Sequence, residues 1–234
     1  MGRGGGRRGD RRRGSPRRSS GPRRRRPCGL SDPAEASPRP IALAITGGIG
    51  AGKSTVLAAL RAHGAATVSS DEIVHQLLRA DPDVRAALVE RLGKGILDED
   101  GIPDRAAIAA IVFDDAEALA FLEALLHPLV SREYLIWREQ LAALDSPPRV
   151  CATEVPLLYE SGGESRFDRV VVVTAPRQLR EQRRHAPEDN REARLLDDTE
   201  KVRRADYHYV NTGTFEDLDA WVAGLMEVLM NETR

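Results

Sequence analysis

The chain has 234 residues, of which 41% are hydrophobic and 30% charged, with a net charge of −1. This length and composition are typical of one globular domain with a sizeable core. The two cysteines, Cys28 and Cys151, exclude a disulfide framework or a cysteine-based metal cluster and favour a reducing compartment. No apolar run is long enough to span a membrane or to act as a secretory signal, so we expect a cytoplasmic protein.

Charge is distributed very unevenly along the chain. Residues 1–40 contain 13 arginines against 3 acidic residues, a net charge of +10, whereas the remainder holds 22 basic and 33 acidic residues, a net charge of −11. The tail is rich in Arg, Gly, Pro and Ser and cannot bury enough apolar surface to offset its ordering entropy, so we expect disorder. It could contact nucleic acid or other anionic surfaces nonspecifically. Alternatively it plays no part in the activity, or reflects a mis-assigned translation start.

The folded body opens with an apolar strand at 41–46, a glycine-rich segment and a helix predicted at 54–62. The glycine-rich segment fits the pattern G-x-x-x-x-G-K-[ST] through Gly47, Gly52, Lys53 and Ser54. A buried strand before the pattern and a helix after it are the context that a P-loop requires. We therefore predict a site for a nucleoside triphosphate in preference to a glycine-rich turn that binds nothing.

Phosphate binding explains the residue types in this segment. Glycines let backbone N–H groups approach phosphate oxygens, and the helix N-terminus adds partial positive charge. Lys53 is expected to bridge the β- and γ-phosphates, and the Ser54 hydroxyl to ligate Mg²⁺. The predicted nucleotide-binding residues are Gly48, Gly50, Ala51, Gly52, Lys53, Ser54 and Thr55.

Further along the chain, strands and helices alternate, which predicts a parallel sheet covered on both faces. The predicted strands are 41–46, 66–70, 149–154, 169–174 and 207–211, and a closing helix is predicted at 214–230. A long helical stretch, residues 73–144, separates the second and third strands and is predicted to be a substrate-binding insertion. Pro128 is expected to break or restart its last helix after His127.

The segment after the fourth strand, residues 177–204, is dense in charge. We predict a lid that closes over phosphates, although a solvated helical face would have the same composition. Its clustered arginines are Arg180, Arg183, Arg184, Arg191 and Arg194.

Two carboxylates follow predicted strands at the edge where parallel sheets bind ligands. Asp71 could hold or deprotonate an acceptor hydroxyl, or it could simply be the N-cap of the next helix. Glu154 could act on Mg²⁺ directly or through water, or be an ordinary strand-end carboxylate. Arg105 could meet a substrate phosphate or form a surface salt bridge, and His127 is a second candidate for substrate binding, with a structural role as the alternative.

Several of these segments, taken together, resemble the dephospho-coenzyme A kinase family over almost the whole body. The resemblance is carried by TGGIGAGKST (46–55), SSDEIV (69–74), DRAAIAAIVF (104–113), LEALLHPLV (122–130), VPLLYE (155–160) and KVRRADYHYVNTGTFEDL (201–218). The P-loop piece is generic, whereas the HPLV and PLLYE pieces in this order are specific.

The resemblance implies an α/β P-loop kinase with strand order 2-3-1-4-5, a helical coenzyme-A-binding insertion and a mobile lid. It implies transfer of a phosphoryl group from ATP, with Mg²⁺, to the ribose 3′-hydroxyl of dephospho-coenzyme A. Asp71 matches the family's general base. The family's lid arginines contact ATP phosphates, and Arg184 and Arg191 are the candidates here. We expect a monomer.

The sequence departs from the family pattern in two places. Ser69 stands where the family often has Asp, and HAPEDNREARLLDD replaces the usual lid segment, so the lid arginines are not assigned by the motif. A kinase for nucleosides or nucleoside monophosphates remains the nearest alternative. A regulatory GTPase lacks support because no N-K-x-D motif occurs, and a nucleic-acid-dependent ATPase is disfavoured because the acidic body would repel phosphates.

Overall fold

The computed structural model describes Met1 and residues 39–183, 195–212 and 214–232, so residues 2–38 of the tail predicted to be disordered lie outside the described residues. Five parallel strands form one sheet in the order β2-β3-β1-β4-β5. The predicted fold class and strand order are therefore confirmed. The strands are β1 (Ile41–Gly47), β2 (Ala66–Ser69), β3 (Val150–Glu154), β4 (Arg169–Thr174) and β5 (Tyr207–Val210).

Helices cover the sheet, and four of them lie between β2 and β3, where the sequence predicts a helical stretch. The closing helix is also found as predicted. None of the described helices is both long and apolar enough to cross a membrane. The helices are α1 (Lys53–Ala62), α2 (Ser70–Ala80), α3 (Pro82–Leu92), α4 (Arg105–Asp114), α5 (Ala116–Ala142), α6 (Arg177–Arg183), α7 (Asp198–Arg204) and α8 (Phe215–Met230).

Strand β1 is the centre of the domain, and all seven of its residues are buried. Side chains alternate between the two faces of a strand. Ile41, Leu43 and Ile45 accordingly join the core formed with α1 and α8. Ala42 and Ala44 face the opposite core, which includes residues of α2 and α5. Apolar contacts on both faces fix the position of β1, and with it the starting point of the P-loop.

The inserted helices have a hydrophobic core of their own. It is formed by buried residues of α2, α3, α4 and α5 and of the short 3-10 turn Lys94–Ile96. The second core connects this helical layer to the sheet, because Tyr134 of α5 packs against Phe167 with ring centroids 5.3 Å apart. The insertion is thus a packed layer joined through α5 to the core on one face of the sheet.

The expected break at Pro128 is wrong, because α5 is a single helix of 27 residues that continues through Pro128. Proline has no N–H to donate to the carbonyl of Ala124, which costs about 3 kcal/mol in a helix interior. Burial on both sides of Pro128 offsets this loss. Leu126 belongs to the insertion core, Tyr134 to the sheet core, and Leu129 packs against both.

Candidate active site

The P-loop connects β1 to α1 at the carboxyl edge of the sheet. Gly47 is the last residue of β1, and Gly52 is the N-cap of α1. Gly52 has a φ of 94°, in the left-handed region that favours glycine. A glycine N-cap has no side-chain oxygen, so the first backbone N–H groups of α1 are left for an external anion. The loop therefore has the geometry of a phosphate cradle.

Two loop glycines are required by close contacts as well as by backbone conformation. Gly47 has a φ of 144°, and a Cβ there would collide with the carbonyl oxygen of Val173 on β4. A Cβ on Gly52 would collide with Nδ2 of Asn211, which follows β5. The loop therefore packs directly against the ends of β4 and β5.

Lys53 is buried beneath the loop at the start of α1. Its Nζ donates a hydrogen bond to the carbonyl of Gly48 at 3.1 Å and lies 3.8 Å from Oε1 of Glu154. Burial lowers the pKa of the Lys53 ammonium, partly offset by the nearby Glu154 carboxylate. A charge that is poorly solvated gains strongly from an incoming anion. Lys53 is thus placed to attract phosphate oxygens.

Glu154 ends β3 beside the P-loop. The strand register pairs it with Ile45 of β1 and with Ser69 of β2. Burial raises the pKa of its carboxyl group, and the Asp71 carboxylate raises it further, against the opposing effect of Lys53. Glu154 thus lies close enough to both Lys53 and Asp71 for each charge to affect its carboxyl group.

Asp71 lies in the first turn of α2, but it is not the N-cap. Ser69 is the N-cap, and its hydroxyl accepts from the backbone N–H of Glu72, whose carboxylate accepts from Ser69 N. Ser and Asp are both good N-caps, which explains how Ser69 can replace the Asp of the family pattern. Asp71 is free of the capping role, and its side chain is 80% exposed.

Arg105, at the start of α4, pairs with Asp71 at a distance of 2.9 Å from Nη2 to Oδ1. The salt bridge that the sequence left as an alternative is therefore present, and its partner is the candidate base. The guanidinium is still 51% exposed and can reach a ligand as well. His127 lies exposed on α5, and its role in substrate binding stays a prediction.

The lid candidates Arg184 and Arg191 lie outside the described residues. Two other arginines of the same cluster are described, and both lie on α6 over the P-loop. A Cβ added to Gly48 would lie 2.6 Å from Nη1 of Arg180, and one added to Gly52 would lie 3.7 Å from Nη1 of Arg183. Two further cations thus lie close to the cradle.

No role was predicted for Asp198 or Asn211. Asp198 begins α7, and its Oδ2 lies 3.4 Å from Nη1 of Arg180. Asn211 donates from Nδ2 to the carbonyl of Ala51 at 2.9 Å. The sequence signal that could have found Asn211 is its position just after a buried strand, at the ligand-binding edge of the sheet.

Two of the family-like segments meet near the end of the lid segment. Lys201, fully buried on α7, lies 2.8 Å from Oε1 of Glu160, in the loop after β3. The same carboxylate oxygen accepts from the backbone N–H of Leu196 at 2.9 Å. This buried pair ties the last part of the lid segment to the loop after β3.

These features define the class of protein. A phosphate-binding loop at the end of the central strand, a buried lysine and an exposed carboxylate beside it belong to the P-loop kinases. The strand order of the sheet, 2-3-1-4-5, is the one expected for a P-loop kinase.

Comparison with known proteins identifies the family within that class. The sequence model of the dephospho-CoA kinase family matches residues 41–217. A dephospho-CoA kinase of Protochlamydia amoebophila is 40% identical over 195 residues, which cover 80% of this chain and 95% of the relative. One from Helicobacter pylori is 35% identical, over 81% of this chain and 97% of the relative. The chain therefore belongs to the dephospho-CoA kinase family.

Solved structures agree with this assignment. A Thermus thermophilus protein, 35% identical, superposes with a TM-score of 0.63 and covers 84% of this chain and 100% of its own. The dephospho-CoA kinase of Campylobacter jejuni, 25% identical, gives a TM-score of 0.58 over 80% of this chain and 96% of its own.

Three glycine-to-alanine substitutions test how the cradle is built. Gly47→Ala should lower the free energy of unfolding by at least about 2 kcal/mol, because its Cβ meets backbone that cannot move aside. Gly64→Ala should cost about 1 kcal/mol from its positive φ alone, since a Cβ there has no described neighbour within 4 Å. Gly95→Ala, in open space, is the matched control and should be neutral within about 0.5 kcal/mol. Urea unfolding measures all three, and equal losses for Gly47 and Gly95 would contradict the proposed packing.

Proposed function

We propose that this chain phosphorylates the ribose 3′-hydroxyl of dephospho-coenzyme A with ATP, using Asp71 as the base and the P-loop as the phosphate site. Membership of the dephospho-CoA kinase family is the observation that carries the proposal, because it extends over residues 41–217. It makes the protein a kinase that acts in coenzyme A biosynthesis with ATP as phosphoryl donor. The roles of individual residues rest on the geometry described above.

Asp71 is proposed to orient the acceptor hydroxyl and remove its proton. Its exposed carboxylate lies just beyond β2, near Glu154, and pairs with Arg105. A carboxylate in this position can accept the proton as the hydroxyl attacks the γ-phosphorus. Because the Arg105 guanidinium is partly exposed, it can also bind an anionic group of the acceptor.

The P-loop and Lys53 are proposed to bind the ATP phosphates. Apart from Ala51, whose N–H donates to the Gly48 carbonyl, the backbone N–H groups of residues 48–55 are proposed as fixed donors, and the Lys53 ammonium can turn from the Gly48 carbonyl toward the phosphates. Donors that are fixed before the reaction stabilise the charge on the transferring group without reorganisation.

Magnesium is proposed as the metal, with the Ser54 hydroxyl and the Glu154 carboxylate as protein ligands. Mg²⁺ commonly uses one or two protein oxygens together with substrate phosphates and water. Ser54 and Glu154 would supply two such oxygens. The Glu154 side chain is 21% exposed at the carboxyl edge, and because burial disfavours its negative charge, a cation would stabilise it. The ion, when bound, supplies charge neutralisation at the phosphates.

Arginines of the lid are proposed to complete the charge around the phosphates and to exclude water, which would otherwise compete as acceptor. Arg180 and Arg183 are supported by their position over the P-loop. Arg184 and Arg191 remain candidates on the sequence alone. The helical insertion, residues 73–144, is proposed to bind the coenzyme A moiety, with His127 as a candidate contact.

We further propose a cytoplasmic monomer in which the basic tail takes no part in the reaction. The family match begins only at residue 41. With a net charge of +10, the tail can bind polyanions nonspecifically.

The acceptor assay tests the proposed activity directly. Purified protein with ATP, Mg²⁺ and dephospho-coenzyme A should form ADP and coenzyme A in equal amounts, measured by chromatography. Nucleoside monophosphates and nucleosides, supplied at the same concentration, should give no product above the ATP hydrolysis background. Turnover of a nucleoside monophosphate without turnover of dephospho-coenzyme A would overturn the assignment.

Asp71→Asn tests the proposed base. Turnover should fall by about 10²-fold or more while ATP binding stays within about twofold, because the amide cannot accept the proton. Asp145→Asn is the matched control, since Asp145 is exposed in the chain that leads to the opposite end of β3. Steady-state kinetics and calorimetric titration with ATP give the two quantities. Unchanged turnover in Asp71→Asn would exclude Asp71 as the base.

Deleting residues 2–38 tests the tail. The kcat/KM for dephospho-coenzyme A should stay within about twofold, whereas retention on immobilised single-stranded DNA at low salt should be lost. That retention is expected only of the full-length chain because the body carries a net charge of −11. A large loss of activity would show that the tail belongs to the enzyme.

A further inference from the structure

Asn211 links the P-loop to the sheet edge formed by β4 and β5. The residue is only 7% exposed, and its side-chain Nδ2 donates to the carbonyl of Ala51 at 2.9 Å. Its backbone N–H donates to the carbonyl of Thr174, at the end of β4, at 2.7 Å. One residue thus connects the ends of two strands to the middle of the phosphate loop.

The bond to Ala51 affects the amide that follows it. The carbonyl of Ala51 and the N–H of Gly52 belong to one planar trans peptide group, so they point in opposite directions. Holding that carbonyl toward Asn211 therefore fixes the direction of the Gly52 N–H. Because Gly52 is the N-cap of α1, this N–H lies beside the other amides proposed to bind phosphate.

The contact between the Asn211 carboxamide and Gly52 is also steric. Any Cβ on Gly52 would collide with Nδ2, so the amide group lies directly against the Gly52 backbone. A neutral donor is needed in this buried place. A carboxylate would present an oxygen to the Ala51 carbonyl and would lose its hydration without compensation.

We infer that Asn211 is a positioning residue for phosphate binding, acting through the orientation of the peptide between Ala51 and Gly52. This inference rests on the proposed role of the P-loop. Asn211 acts on the loop and not on the adenine or the acceptor. Its loss should therefore weaken every ligand that carries the phosphate chain, with or without a nucleoside.

Asn211→Ala and Asn211→Asp test the inference, with inorganic tripolyphosphate, ADP and ATP as probes. Both variants should bind tripolyphosphate and ADP about tenfold more weakly by calorimetry, as expected for the loss of a buried hydrogen bond and its geometry. Because the alanine variant buries no new charge, its phosphate binding can be measured even if the aspartate variant fails to fold. Asn231→Asp is the matched control, because Asn231 is an exposed C-cap at the far end of α8.

Kinetics separate positioning from a general loss of structure. The KM for ATP of Asn211→Ala should rise about tenfold while the KM for dephospho-coenzyme A stays within about twofold. Equal rises in both constants would indicate general damage and overturn the inference. Weaker ADP binding with unchanged tripolyphosphate binding would also overturn it, since Asn211 would then contact the nucleoside.

Failure of the wild-type chain to bind tripolyphosphate would remove the phosphate site itself, whereas failure of phosphoryl transfer to dephospho-coenzyme A alone would overturn only the proposed function.

Discussion

The packing of the P-loop against the ends of β4 and β5 is the constraint on which the rest of the site depends. Backbone amides bind phosphate well only if they already point at it, because turning them during binding would cost conformational entropy. Here the loop is fixed from three directions. Buried β1 positions its start, Val173 lies against Gly47, and Asn211 holds the peptide before Gly52.

Electrostatics explains why this fixed loop favours a polyanion. Lys53 and Glu154 are both partly desolvated, and burial opposes the charged form of each. Arg180 is paired with Asp198 above the loop. These opposite charges compensate one another only in part. Phosphates would therefore meet basic side chains that are already in place, and a cation would meet the Glu154 carboxylate. Because Lys53 lies close to Glu154 and Arg180 close to Asp198, these charged groups can lie at the edge of an apolar sheet without unfolding it.

Much of the fold and of the site could be predicted from the sequence because the signals are local. The buried strand, the glycine pattern and the alternation of strands and helices are properties of short segments, and they predicted the P-loop and the parallel sheet. The strand order, which the family resemblance implied, is the one observed. Asp71 was predicted as the candidate base from its place after the second strand and from the family resemblance, and that role stays a prediction. One other expectation failed because it depended on contacts elsewhere in the fold. Pro128 does not break α5, since burial on both sides of Pro128 offsets the missing hydrogen bond. Of the two roles left open for Asp71, the N-cap belongs to Ser69 instead.

The sequence alone determined that this protein has a P-loop, a five-stranded parallel sheet and a candidate base at the end of its second strand. Only the tertiary structure decided which side chains surround the loop. Arg105 meets Asp71 across 34 positions, and Asn211 meets Ala51 across 160. Such pairs leave no pattern in a single sequence, because their spacing along the chain is set by the intervening helices and strands. The nucleotide site could therefore be found from local patterns, whereas the residues that hold it in place required the folded chain.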